Sequence, residues 1–118
     1  MTPMSLTAMR VSARQATALM KVLSNDSRLM ILCHLRDGEK SVGALEDLVG
    51  LGQSALSQHL ARLRKDSLVQ TRRQAQAIFY RLADDRPGRV IDLLYDIYCR
   101  AQARPARPAR PRQTPQKA

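Results

Sequence analysis

Between Gly52 and Leu82 the chain reads GQSALSQHLARLRKDSLVQTRRQAQAIFYRL, a segment that leaves few architectures open. Leu56, Leu60 and Leu63 recur at i, i+4 and i+7, which puts them on one face of a helix. Gln53, Ser54, Ser57, Gln58, His59 and Arg62 fall largely on the other face. Short hydrogen-bonding side chains with one or two cations are what base edges in a major groove require. Leu68–Thr71 and Ala77–Leu82 then read as two strands around Arg72, Arg73, Gln74, Ala75 and Gln76. A polar-faced helix alone is usually only a solvated surface helix. Followed directly by a basic hairpin, which can lie along a phosphate backbone or enter a minor groove, it points to double-stranded DNA. Arg72, Arg73, Gln74 and Gln76 join the helix residues as candidate DNA contacts.

Upstream, Met9, Ala13, Ala16, Met20 and Leu23 step by four and three, a narrow seam suited to a partner helix. Ser24-Asn25-Asp26 supplies cap chemistry for a second helix, Arg28–Arg36, whose Leu29-Met30-Ile31-Leu32-Cys33 run predicts a central, buried position. Asp37-Gly38 stops it. Ser41 is placed to cap a third helix with Val42, Leu45, Leu48 and Val49 inward, and Gly50-Leu51-Gly52 turns into the polar-faced helix, as in a helix-turn-helix. After the hairpin, Asp84 or Asp85 caps a last helix with Pro87 in its first turn, where a missing N–H costs nothing. Val90, Leu94, Ile97 and Ala101 form its stripe, broadened by Ile91, Tyr95 and Tyr98.

Helix, turn, helix and basic hairpin, ending in LARLRKDSLVQTRR and IFYRL, resemble the winged helix-turn-helix of the ArsR/SmtB family of bacterial repressors. The likeness runs from about Ala18 to Cys99 and includes Ser57-x-His59-Leu60 and the Arg72-Arg73 pair. It implies a mostly α fold with a small β-hairpin wing, in the order α-α-α-α-β-β-α, assembled as a homodimer. Met9, Ala13, Ala16, Met20, Val90, Leu94, Ile97 and Ala101 are the expected dimer interface. Two positions depart from the family pattern. Ser67 stands where a Gly often precedes the first wing strand, and the wing tip has no Gly, which leaves its turn type open.

At 118 residues with only 3% aromatics, the chain can hold one small domain whose core comes from Leu, Ile, Val and Met. The formal charge is +10, but its distribution decides its meaning. Six of the twenty basic residues lie in 100–118 with no acid, so residues 1–99 carry fourteen bases against ten acids, a net +4. Residues 1–8 are expected to be a flexible N-terminus, 9–102 the DNA-binding and dimerisation domain, and 103–118 a disordered basic tail. Proline at every third position of ARPARPARPR forbids a helix there. No run approaches the ~18 apolar residues of a membrane span, and the N-terminus lacks the pattern of an export signal. The expectation is a cytoplasmic protein without a membrane partner.

The family resemblance raises metal sensing, which the ligand inventory opposes. The third helix, Val42–Leu48, has no Cys or His, and the terminal helix offers Asp92 and Asp96 without His. Zinc takes about four N/S ligands and arsenic takes thiolates, so no metal or other cofactor is expected. His34 reads as a partly exposed helix residue. No Gly-rich phosphate loop, carboxylate pair or catalytic triad appears, so an enzyme is not expected either.

Cys33 and Cys99 remain, one in the second helix and one near the end of the last. Cys33 alone would read as a packed core cysteine. At helical spacing Cys99 lies about 20° from Asp92 and about 40° from Tyr95, off the Val90/Leu94/Ile97 seam and open to a small reagent. This placement resembles the dithiol, sulfide- and persulfide-responsive subgroup of the family (SqrR/BigR type, HlyU-like), as do Arg28-Leu29-Met30 and Ser41-Val42-Gly43-x-Leu45-Glu46. The resemblance implies that Cys33 and Cys99 are redox-sensing, that a disulfide or polysulfide chain links them, and that reactive sulfur species or oxidants act as inducer. It also implies a repressor that binds operator DNA when reduced, with half-sites about one helical turn apart. A constitutive architectural DNA-binding protein and a metal-responsive repressor are the alternatives.

Deleting residues 103–118 should leave folding and sequence preference intact while lowering DNA affinity at low salt and little at high salt. Binding titrations of the truncated and full-length chains across a salt series would measure this. An unfolded product would show that the tail belongs to the core.

Overall fold

The structure, a computed structural model, describes residues 5–99. Helix α1 spans Leu6–Leu23, α2 Asp26–Arg36, α3 Val42–Val49, α4 Gln53–Lys65 and α5 Asp85–Leu94. Strands are β1 Lys40–Ser41, β2 Val69–Gln74 and β3 Ala77–Leu82, in the sheet order β1-β3-β2. This is a mostly helical winged helix-turn-helix with an antiparallel hairpin wing. Ala101 and the 103–118 tail lie outside the described residues.

Local chemistry sets the boundaries. Ser5, Asn25, Ser41 and Asp84 each accept a hydrogen bond from a first-turn N–H, at 3.0, 3.0, 3.1 and 2.9 Å. Side chains of this kind satisfy donors that a helix start leaves orphaned. Gly50 ends α3 in the left-handed region at φ 76°, its N–H bonded to Glu46 O at 2.9 Å. The chain then needs only Leu51 and Gly52 to enter α4.

Ile31, Leu32 and Leu35 of α2 pack with Leu45 of α3, Leu56, Leu60 and Leu63 of α4, Leu68, Val69 and Ile91. All of them are nearly or completely dry, so α2 is the central helix that its apolar run predicts. Truncating one such leucine to Ala costs ~2–5 kcal/mol, a large part of the ~5–15 kcal/mol that holds a small domain together.

Several expectations are corrected. Helix α1 begins at Leu6, inside the segment expected to be flexible, because Ser5 caps it. Helix α2 begins at Asp26, two residues before Arg28, with Asn25 as its cap. A short strand, β1, stands between α2 and α3 and pairs with β3 through Lys40↔Tyr80 and Ser41↔Phe79. Only Leu45 of α3 is fully buried; Leu48 is exposed, and Val42 and Val49 are half-buried. The wing strand β2 continues to Gln74, so the turn is just Ala75-Gln76, with Ala75 in the left-handed region at φ 56°. Helix α5 does not run regularly to its end, for Tyr95–Cys99 form a π-helical turn.

The departure at Ser67 has a local explanation. Its φ is 63°, its N–H bonds Arg64 O at 3.0 Å, and Leu68 N–H bonds Leu63 O at 2.9 Å. This pair of bonds is a Schellman motif, with buried Leu63 and Leu68 as its hydrophobic contact. Position 67 is therefore the left-handed C′ site that favours glycine. Ser67→Gly should relieve ~1–2 kcal/mol of strain against ~0.4–1 kcal/mol of added unfolded-chain freedom. A net gain of ~0.5–1 kcal/mol, raising Tm by about 2–8 °C at fixed protein concentration, is expected in thermal unfolding. An unchanged or lower Tm would contradict the strain.

Candidate nucleic-acid interface and thiol pair

Burial of Leu56, Leu60 and Leu63 turns the opposite face of α4 to water. Gln53, Ser54, Ser57, Gln58 and Arg62 are exposed there, and His59 is half-buried. Arg62 is tied to the end of its own helix, its Nε donating to Asp66 Oδ2 at 2.8 Å. An open groove between α4 and β3 is lined by Ser57, Ala61, Arg64, Lys65 and Tyr80. The sequence reading did not single out Arg64 and Lys65. Their signal was the i, i+4, i+7 spacing of Ser57, Ala61 and Arg64, a second stripe beside the recognised one.

The two wing arginines part company. Alternation along β2 puts Arg72 on the face with Gln70 and Gln74, and Arg73 on the face with Thr71 and Val69. The Arg72 Nε donates to both Glu39 carboxylate oxygens, at 2.8 and 3.0 Å, and its Nη2 donates to Oε1 at 2.7 Å. Its Nη1 reaches Gln74 Oε1 at 2.7 Å, and the guanidinium lies 4.6 Å from the centre of the Phe79 ring. These hydrogen bonds hold the Glu39 carboxyl below its usual range. Arg72 thus anchors the wing to the loop before β1, whereas Arg73 is exposed and forms no ion pair among the described residues. Gln76 is exposed at the wing tip.

Around the outside, α1 and the end of α5 carry the expected interface residues. Met9, Ala13, Ala16, Met20 and Ile97 are exposed, with Met20 at 64% and Ile97 at 54%, while Val90 and Leu94 are half-buried. Every residue of α1 from Leu6 to Ala18 is open in the single chain.

Cys33 is half-buried and Cys99 exposed, both as free thiols. Burial pushes the Cys33 thiol up. The nearby Cys99 and Asp37 push it further, and the Arg36 guanidinium opposes them. Helix α2, which carries Cys33, packs against α5, and the π turn that ends in Cys99 continues α5. The regular-helix angle used for Cys99 does not hold, since a π turn closes i→i+5 bonds and advances fewer degrees per residue. Exposure at Cys99 is nonetheless as expected. Among the described residues no three of His, Cys, Asp and Glu gather as a metal-binding group, and no helix is long and apolar enough to cross a membrane.

Comparison with known proteins decides the family. Residues 25–71 match the signature described as "Bacterial regulatory protein, arsR family". Transcriptional activator HlyU of Vibrio cholerae is 48% identical over 99 residues, covering 84% of this chain and 92% of HlyU. The chain belongs to the arsR family of bacterial regulators. Within this arsR family it sits in the HlyU/BigR-like group. The crystal structure of the transcriptional repressor BigR from Xylella fastidiosa superposes with a TM-score of 0.76 at 43% identity, over 81% of this chain and 98% of BigR. A more distant structural relative is a Mycobacterium bovis domain described as a homodimeric winged helix-turn-helix DNA-binding domain of a possible ArsR-family transcriptional regulator. It has a TM-score of 0.68 at 29% identity, over 82% of this chain and 89% of that one. As an arsR-family protein the chain is a DNA-binding transcriptional regulator and not an enzyme.

Because Cys99 is one cause of the raised Cys33 pKa, Cys99→Ser should shift the Cys33 alkylation profile toward lower pH. Burial should still leave its midpoint above that of an ordinary thiol. Rates of iodoacetamide modification against pH would show this, and an unmoved midpoint would mean that the sulfurs do not sense each other.

Proposed function

We propose that this arsR-family regulator is a homodimeric, thiol-responsive repressor. It binds operator DNA when reduced and is released when reactive sulfur species or oxidants link Cys33 to Cys99. The observation that carries this reading is the packing of α2, which carries Cys33, against α5, which leads through the π turn to Cys99, so that thiols far apart in sequence lie on adjoining elements. Exposed Cys99 meets the reagent first. With a low-molecular-weight persulfide, its thiolate takes the outer sulfur and releases the carrier thiol. Cys33 then displaces hydrosulfide to form the disulfide, so the persulfide accepts the two electrons. The bridge needs Cα atoms within ~4.4–6.8 Å, and pinning α5 to α2 changes the helix that flanks the dimer seam.

The dimer reading rests on α1. Most of a helix's stability in a protein comes from packing its apolar face, and among the described residues the outer part of α1, Leu6 to Ala18, is exposed throughout. A second copy, laid along Met9, Ala13, Ala16, Met20, Val90, Leu94, Ile97 and Ala101, would supply that packing. Each subunit would then present Gln53, Ser54, Ser57, Gln58, His59 and Arg62 to one major groove. Arg72, Arg73, Gln74 and Gln76 would lie toward the backbone or minor groove. Half-sites about one helical turn apart match a two-fold dimer. In this reading the protein works in the cytoplasm.

Gln58→Ala should weaken operator binding by ~1–3 kcal/mol and random-DNA binding little, since base-edge contacts carry discrimination. Arg73→Ala should weaken both together and reduce the salt slope by about one. Equal losses on both DNAs for Gln58→Ala would remove α4 as the reading face.

For the switch, Cys33→Ser and Cys99→Ser should each bind DNA normally when reduced and stay bound after persulfide treatment. Wild type should release DNA as a 33–99 linkage appears in peptide mass spectra. Release without that linkage, or release by both single variants, would overturn the dithiol mechanism. Wild-type binding that never responds would favour a constitutive DNA-binding protein.

A further inference from the structure

Arg36 and Asp92 form an ion pair and hydrogen bond between α2 and α5, through Arg36 Nε and Asp92 Oδ1. Arg36 follows Cys33 by three residues, so the two are neighbours on one face of α2. Asp92 precedes Cys99 by seven residues, about two turns along the same helix, the second of them the π turn. We propose that Arg36 and Asp92 are positioning residues for the thiol pair, a clasp that fixes the α2–α5 approach and so sets how readily Cys33 and Cys99 close into an intramolecular disulfide. The inference rests on the reading that these two thiols couple.

The side chains are 46% and 52% exposed, and ion pairs this open to water add little to stability. Their value lies in placement. The contact joins the two helices that carry the sulfurs, and it holds the Arg36 guanidinium near enough to Cys33 to act on that thiol. Asp37 shares the guanidinium, its Oδ1 lying 3.8 Å from Arg36 Nη1, so the cation stays at this end of α2 under acid from both sides. Loss of either clasp partner leaves α5 free to sample positions in which the sulfurs are further apart. The effective concentration of one thiol at the other then falls.

The test is the disulfide equilibrium of the full chain, without DNA, in a glutathione redox buffer at pH 7. There glutathione disulfide takes two electrons and two protons from the cysteines and leaves as two glutathione thiols. Arg36→Gln and Asp92→Asn should each lower the equilibrium constant by ~2- to 5-fold. The reversed pair, Arg36→Asp with Asp92→Arg, should recover most of the loss. Recovery separates a charge-dependent clasp from general loosening, and unchanged thermal melting of the reduced proteins shows that the fold is intact. Unchanged constants in the single variants, or a reversed pair as impaired as they are, would overturn the clasp while leaving the dithiol reading standing. No 33–99 disulfide in wild type at any buffer ratio would overturn both.

Discussion

The outward face of α4 is oriented by one ridge of leucines that cannot face water. Leu56, Leu60 and Leu63 lie against the Ile31, Leu32 and Leu35 side of α2 in one continuous core. With that side fixed, helical periodicity leaves a single rotation for α4, and the polar residues are aimed by default. No polar contact in the wing could choose this orientation alone. Each such contact is worth ~0.5–1.5 kcal/mol, against ~1.5–3 kcal/mol for a fully buried leucine.

Exposed charge does a different job here. Arg72 with Glu39, and Arg36 with Asp92, are half-open pairs of long sequence separation, and neither holds the fold together. Both tie an element at the rim to an element of the frame, the wing in one case and the terminal helix in the other. The core decides which way the elements face, and these pairs add cross-links between elements at the rim.

The sequence carried the helices, their caps and the wing because each rests on local rules: hydrophobic spacing, a capping side chain, a turn residue. The polar face of α4 was legible for the same reason, as the complement of a leucine ridge. Strand β1 was not, since a strand of two residues has no periodicity and exists only because β3 offers a free edge. Nor was the narrow wing turn, which needs Ala75 in a conformation its side chain disfavours. The π turn at Tyr95–Cys99 and the capture of Arg72 by Glu39 likewise depend on tertiary context. Ser67 was noticed as unusual, but only the closing bonds of α4 explain it.

Ser41 belongs to two structures at once. It pairs with Phe79 in the wing sheet, and its hydroxyl caps α3, which leads through a tight turn into α4. Ser41 thus ties the wing sheet directly to the helix pair that ends in α4, and in the proposed DNA-bound reading the two would meet a duplex as one unit. A duplex seated on that unit would have to match its shape or bend to it. The energy of bending depends on base steps that no side chain touches. In that reading, groove width and local bendability would become part of what the regulator selects.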